Sequence, residues 1–146
     1  MLSNTCKYAL RSVIYIALNA KDNKKIGLKK ISDDLNIPSP FLGKILQNLA
    51  KHKIISSTKG PNGGWGIQKD PKDITILEIY EIIDGLDYFT NCLIGVQSCT
   101  DDPVNSPCPL HSKYSPIRKQ VYDLFSSTTI YDLANDIEAA EGVINI

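Results

Sequence analysis

Apolar residues recur through the first twenty positions at helical spacing: Ala9/Leu10, Val13/Ile14 and Ala17/Leu18 return every third or fourth residue, with Lys7 ahead of them and Arg11 between the first two pairs. The pattern predicts an amphipathic helix over 5–20, capped by Asn4 or Thr5. A shorter stripe of Leu28, Ile31 and Leu35 predicts a second helix over 27–36, broken by Ile37-Pro38. Beyond the break, Ser39 offers an N-cap and Pro40 suits the first helical position. Leu42, Ile45, Leu46 and Leu49 then fall at i, i+3, i+4 and i+7, the buried face of a third helix reaching Lys51. Its other face carries Phe41, Lys44, Asn48 and Lys51. Two short helices across a proline-marked turn, the second polar and basic outside, form the helix-turn-helix pattern.

The period then changes. Residues 54–58 and 65–68 read as two strands around the tip Lys59-Gly-Pro-Asn-Gly-Gly64. Helices followed by such a hairpin describe a winged helix. Glycine lets the tip backbone approach a surface, and Lys59 can meet phosphates. A plain tight hairpin needs neither three glycines nor a lysine. No Gly-Lys-Ser/Thr opens a helix here, which excludes a nucleotide phosphate loop.

Thr75 and Glu78 predict a capping box for a helix carrying Ile79, Ile82 and Ile83 and closed by Gly85. Residues 114–126 predict a helix with Ile117, Val121, Leu124 and Phe125 on one face, and little chain remains to cover it. An uncovered seam of this kind predicts pairing with a second copy as a two-fold homodimer. Thr129 caps a last short helix to Ile137. The fold expected is mainly α with a small β-hairpin. A winged helix-turn-helix DNA-binding domain spans 1–84, a cysteine-rich ligand loop 85–112, and a dimerisation helix with a C-terminal helix 113–146.

Charge sharpens this picture. The formal net charge of zero hides a division: residues 1–70 carry twelve Lys/Arg against four Asp/Glu, and the remainder carries four against twelve. A basic first half points to a polyanionic partner, with packing of the opposite halves against each other as the weaker reading because the lysines cluster near turns. Beside a helix-turn-helix pattern the polyanion expected is double-stranded DNA. No apolar run is long enough to span a bilayer, so no membrane partner is expected. Lys7 and Arg11 ahead of an apolar run imitate a signal peptide, but the helical spacing of that run favours a mature helix. The expected location is cytoplasmic, where thiols stay reduced and metal ligation outranks disulfides.

Candidate chemistry concentrates between Cys92 and His111, where three of the four cysteines and one of the two histidines lie. Pro103, Pro107 and Pro109 forbid a regular helix through its second half, so thiolates and an imidazole share a loop. Such ligands suit zinc or an iron–sulfur cluster. Six, eight and two residues separate Cys92, Cys99, Cys108 and His111, without the paired Cys-x-x-Cys knuckles of structural zinc. A surface loop with scattered cysteines, or a disulfide with a spare thiol, are the competing readings. Cys6 lies beside the apolar stripe of the first helix and reads as a core residue.

Over nearly its whole length the chain resembles the IscR/NsrR/CymR-type family of winged-helix transcription regulators. The segments that carry the resemblance are Lys7-Tyr-Ala-Leu-Arg11, Ile37-Pro-Ser-Pro-Phe-Leu42, Lys59-Gly-Pro-Asn-Gly-Gly-Trp65 and Cys108-Pro-Leu-His111. The resemblance implies a homodimer on a roughly palindromic operator. The third helix, with Ser39, Pro40, Phe41, Lys44 and Asn48, would enter the major groove, and Lys59, Gly60, Pro61, Asn62 and Gly63 of the wing would contact the neighbouring groove or backbone. It implies Cys92, Cys99 and Cys108 as thiolate ligands of an iron–sulfur cluster completed by His111, [2Fe–2S] favoured over [4Fe–4S]. Lys7 stands where nitric-oxide-sensing relatives use an acidic ligand, and the eight residues between Cys99 and Cys108 exceed the spacing in the best-known members. Ile117, Val121, Leu124 and Phe125 would form the dimer seam. The expected function is a DNA-binding regulator, not an enzyme, with affinity set by a redox-sensitive cluster. A cluster-free regulator sensing oxidants through the same thiols is the first alternative, and a small zinc-dependent enzyme the second. That enzyme lacks motif support for a general base at His52 or a nearby carboxylate.

Overall fold

The computed structural model describes residues 1–96 and 108–140. Helices α1 (Asn4–Asn19), α2 (Leu28–Leu35) and α3 (Ser39–Lys51) lead into an antiparallel hairpin, β1 (Ile55–Thr58) and β2 (Gly64–Ile67). Helices α4 (Ile76–Asp84), α5 (Asp87–Thr90), α6 (His111–Ser127) and α7 (Ile130–Ala139) follow. The architecture is the expected winged helix-turn-helix, mainly helical with one hairpin.

The core forms around α1, whose Ala9, Val13 and Ile16 are fully buried against the apolar faces of α2, α3, α4 and α7. Ser3, and neither Asn4 nor Thr5, caps α1 by accepting the Cys6 N–H. The Ser3 hydroxyl and amide both donate to Asp84, so the start of α1 is fastened to the end of α4. Pro38 occupies the N-cap position of α3. Ser39 becomes a helical residue instead, because its hydroxyl is engaged by Ser32 on α2 at 2.9 Å.

The hairpin pairs Ile55 with Ile67 and Thr58 with Gly64. A third edge, absent from the sequence reading, comes from Ile26: it accepts from the Trp65 N–H at 2.8 Å and donates to the Trp65 carbonyl at 2.9 Å. Gly64 is required there, with φ of 140° and a Cβ that would stand 2.6 Å from the Ile26 carbonyl oxygen.

Only half of the predicted capping box forms at α4. Thr75 accepts from the Glu78 N–H at 3.2 Å, but the Glu78 carboxylate turns to Lys69 Nζ at 2.7 and 2.8 Å. At α7 the box is complete, between Thr129 and Asp132. This last helix returns to α1 and buries Ile130 and Ala134 in the shared core, while Thr129 bridges Thr75.

A second, aromatic cluster joins α4, α5 and α6. Tyr80 meets Phe89 and Phe125 edge-on, each with ring centroids 5.6 Å apart, and Cys6 is buried beside them. Helix α6 begins at His111, three residues before the position predicted, and carries Pro116 within it. The expected single seam on α6 is divided. Phe125 is 6% exposed and belongs to the chain's own core, and Val121 packs on the same cluster. Ile117 and Leu124 point outward at 55% and 57% exposure. Among the described residues no helix is long and apolar enough to cross a membrane.

Candidate nucleic-acid interface and thiol site

The α2–α3 pair is held by polar contacts at its turn. Asn36 closes α2 in the left-handed conformation, with φ of 54°. Ser32 Oγ donates to the Ile37 carbonyl and accepts from Ser39 Oγ, and Arg11 Nη2 donates to the Leu35 carbonyl at 2.9 Å. With Leu42, Ile45, Leu46 and Leu49 turned inward, α3 leaves Pro40, Phe41, Lys44 and Lys51 exposed and Ser39 and Asn48 half-buried. Phe41 meets the Tyr8 ring edge-on at 5.9 Å. Gln47 is exposed on this side as well; its spacing of i+3 from Lys44 was the signal for it in the sequence.

The wing tip exposes Lys59, Gly60, Pro61 and Asn62, with Gly63 half-buried. Gly60 has φ of 108°, and its carbonyl accepts from the Gly63 N–H at 2.9 Å. A Cβ on Gly63 would lie 2.2 Å from the Thr58 carbonyl oxygen, so the tip tolerates only glycine there. Lys44, Lys51 and Lys59 have no ion-pair partner among the described residues, whereas Lys30 is held by Asp34 at 2.9 Å and Lys29 by Asp33 at 3.8 Å. Three cations without an ion-pair partner among the described residues, two on α3 and one at the glycine tip, are chemically suited to phosphate oxygens.

The thiol site lies between the end of α5 and the start of α6. Cys92 Sγ is 3.9 Å from Cys108 Sγ, and both thiols are free and half-buried. Backbone N–H groups of Ile94 and then Gly95 direct hydrogen bonds to the Cys92 sulfur and hold its pKa below the usual thiol value; Cys108 and the Arg118 charge act in the same direction. Glycine at 95 permits this approach, since a Cβ there would stand 3.2 Å from Cys92 Sγ. His111, the first residue of α6, lines the same small cavity as Cys92, Cys108, Tyr114 and Arg118, and its N–H donates to the Cys108 carbonyl at 3.1 Å. Cys99 lies outside the described residues.

Two thiolates on one tetrahedral metal at a bond length of ~2.3 Å stand roughly 3.8 Å apart. The spacing of Cys92 and Cys108 matches that requirement and is well beyond a disulfide bond of ~2.05 Å. Among the described residues no three Cys, His, Asp or Glu side chains converge as a metal-binding group. The donor set fits a soft metal through its sulfur pair and the N–H groups that favour thiolate. Arg118 is a member of the site that the sequence reading missed. It donates to the Asn91 carbonyl at 2.8 Å and the Phe89 carbonyl at 3.3 Å and lies over the Tyr114 ring at 4.8 Å. Its one signal in the sequence is a cation within an acidic half.

The model of the Rrf2 family, described as an iron-dependent transcriptional regulator, matches residues 2–136. A protein of Aquifex aeolicus described as an HTH-type transcriptional regulator is 36% identical over 135 residues, 92% of each chain. The regulator IscR of Photorhabdus laumondii is 24% identical and matches 96% of this chain and 82% of its own. Among solved structures, CymR, the global cysteine regulator of B. subtilis, superposes with a TM-score of 0.74 at 24% identity, covering 92% of this chain and 96% of that one. T. potens IscR superposes with a TM-score of 0.72 at 19% identity, covering 99% and 93%. The zinc-enzyme alternative falls with these matches. The chain belongs to the Rrf2 family and is a transcriptional regulator, not an enzyme.

Proposed function

We propose that this regulator works as a homodimer on a roughly palindromic operator, and that an iron–sulfur cluster on Cys92, Cys99, Cys108 and His111 sets its DNA affinity. The observation that carries the proposal is the Cys92–Cys108 sulfur spacing of 3.9 Å, with two backbone N–H groups directed at Cys92 and His111 on the same cavity. In this reading α3 presents Ser39, Pro40, Phe41, Lys44 and Asn48 to base edges, and Lys59 to Gly63 place the wing backbone against phosphates. Ile117 and Leu124 form the dimer seam, with Val121 at its margin. When bound, the cluster supplies a one-electron redox couple and a mutual anchor for its ligands. The chain's own part is to order the segment between α5 and α6. That order biases the position of α6, and through the dimer the spacing of the two reading heads. Differential affinity of the two arrangements for one operator is what makes a switch.

Anaerobic purification with an absorption spectrum and an iron and sulfide count tests the ligand set. Anisotropy of a duplex selected from a random library, with reconstituted and chelated protein at matched salt, then tests coupling. Equal affinities with a confirmed cluster would make the metal structural. A colourless, iron-free protein after reconstitution would favour the thiol reading. The proximity of Cys92 to Cys108 also supports that reading, because an oxidant could join the two sulfurs directly.

A further inference from the structure

We infer that Arg118 is the positioning residue that fastens the Cys92 limb of the thiol site to α6, by spanning the carbonyls of Phe89 and Asn91 with one guanidinium fork. The inference rests on the thiol site of the proposed function but not on what that site binds.

The two thiols reach their cavity from different elements, Cys92 after α5 and Cys108 before α6. Cys108 is attached to α6 by the chain itself and by the His111 N–H on its carbonyl. Cys92 arrives from the end of α5 and has no covalent reason to stay near α6. Its connection is made at the peptide unit that carries it, because the Asn91 carbonyl belongs to the peptide bond whose nitrogen is that of Cys92. Arg118 Nη2 donates to this carbonyl at 2.8 Å, and Nη1 reaches the Phe89 carbonyl at 3.3 Å. Carbonyls in the last turn of a helix lack intrahelical partners, so α5 leaves an acceptor open here. Tyr114, one turn earlier on α6, presents its ring to the guanidinium at 4.8 Å and fixes the plane of the fork. The two carbonyl contacts engage both terminal nitrogens of the guanidinium. Lysine would not replace it, since a point cation on a flexible stem does not span two fixed acceptors.

The test uses the full, metal-free chain with Cys99→Ser, so that Cys92 and Cys108 are the accessible pair. Equilibration with reduced and oxidised glutathione at one pH, followed by alkylation and mass measurement, gives the effective concentration of one thiol at the other. Arg118→Gln and Arg118→Lys should each lower that value about tenfold or more, toward the range of ends joined by a flexible linker. Lys119→Gln, which loses only an exposed pair with Asp123, should leave it unchanged. Helix content and thermal midpoint are recorded for each variant. Should Arg118→Gln unfold, Arg118→Lys decides. Unchanged effective concentration in folded Arg118 variants overturns the inference. A loss in Arg118→Gln fully restored by Arg118→Lys overturns it too, because charge and not position would then be the contribution. Absence of iron from the wild-type protein would sink the cluster reading and leave this measurement untouched.

Discussion

Ser39 Oγ lies 2.9 Å from Ser32 Oγ, so α2 and α3 are pinned to each other by a hydroxyl pair at the point where their angle is set. Ser32 passes this on to the Ile37 carbonyl and is 7% exposed. Ser32→Ala should therefore cost about 1–3 kcal/mol, since it strands the buried Ile37 carbonyl and frees the half-buried Ser39 hydroxyl. Ser39→Ala, at a half-buried position, should cost about 0.5–1.5 kcal/mol. Urea unfolding with an unchanged slope measures both; a neutral Ser32→Ala would remove the pin.

Removing charge from the wing should act on affinity without changing sequence choice. Lys59→Ala is expected to weaken binding to all duplexes and to reduce the salt slope by about one phosphate equivalent per subunit. Phe41→Ala, near the N-terminus of α3, should instead shift the preferred sequence. Titrations across ionic strength on selected and scrambled duplexes separate these outcomes.

The residues proposed as ligands should differ in kind. Cys92→Ala, Cys99→Ala and Cys108→Ala should each abolish the cluster, because one lost thiolate leaves an iron under-coordinated. His111→Ala should keep a cluster with altered absorption and a shorter lifetime, since water can take the place of an imidazole. Cys6→Ala should leave the spectrum intact: burial, with the Asp84 charge, pushes that thiol up to about 12. Visible absorption after anaerobic reconstitution checks all five.

Substitutions on α6 should divide as its exposure does. Leu124→Glu would place an unpaired charge in the proposed seam at a cost of several kcal/mol and should yield folded monomers in sedimentation. Phe125→Ala should unfold the chain more readily, by about 3–5 kcal/mol, since that ring fills the aromatic cluster. An intact Leu124→Glu dimer would refute the assigned seam.

Acid should erase the advantage of the α7 capping box. The Thr129 N–H at 3.0 Å and hydroxyl at 2.7 Å hold the Asp132 carboxyl below its usual value. A depressed folded pKa contributes stability above the unfolded Asp value of about 3.9, lost as pH falls through the lower folded one. Wild type should thus exceed Asp132→Asn in thermal midpoint near neutral pH, and the gap should close in acid. A constant gap would mean that charge plays no part.

Elements with a strong apolar period were legible from the sequence: α1, α2, α3 and the hairpin appear where Val13, Leu35, Leu46 and Trp65 place them. Caps were harder, because several hydroxyls compete for each helix end and tertiary partners decide among them. Ser3 prevailed over Asn4 and Thr5, and Lys69 drew Glu78 away from Thr75. The α6 face was misjudged for a related reason. Its period identified an apolar stripe but not the short α5, whose Phe89 covers part of that stripe. At the thiol site, Cys92 and Cys108 are conspicuous by residue type, whereas Arg118 acts through backbone carbonyls that carry no side-chain signature.

Trp65 is the only tryptophan of the chain, half-buried on β2 just behind the wing tip with its amide and carbonyl tied to Ile26. Indole emission excited apart from the seven tyrosines therefore comes from one place in each chain. The unlabelled protein carries its own optical gauge of the wing: displacement of the Ile26 edge would change the polarity around the ring and shift the emission maximum. DNA engagement could then be followed in real time without attaching a dye near the reading surface.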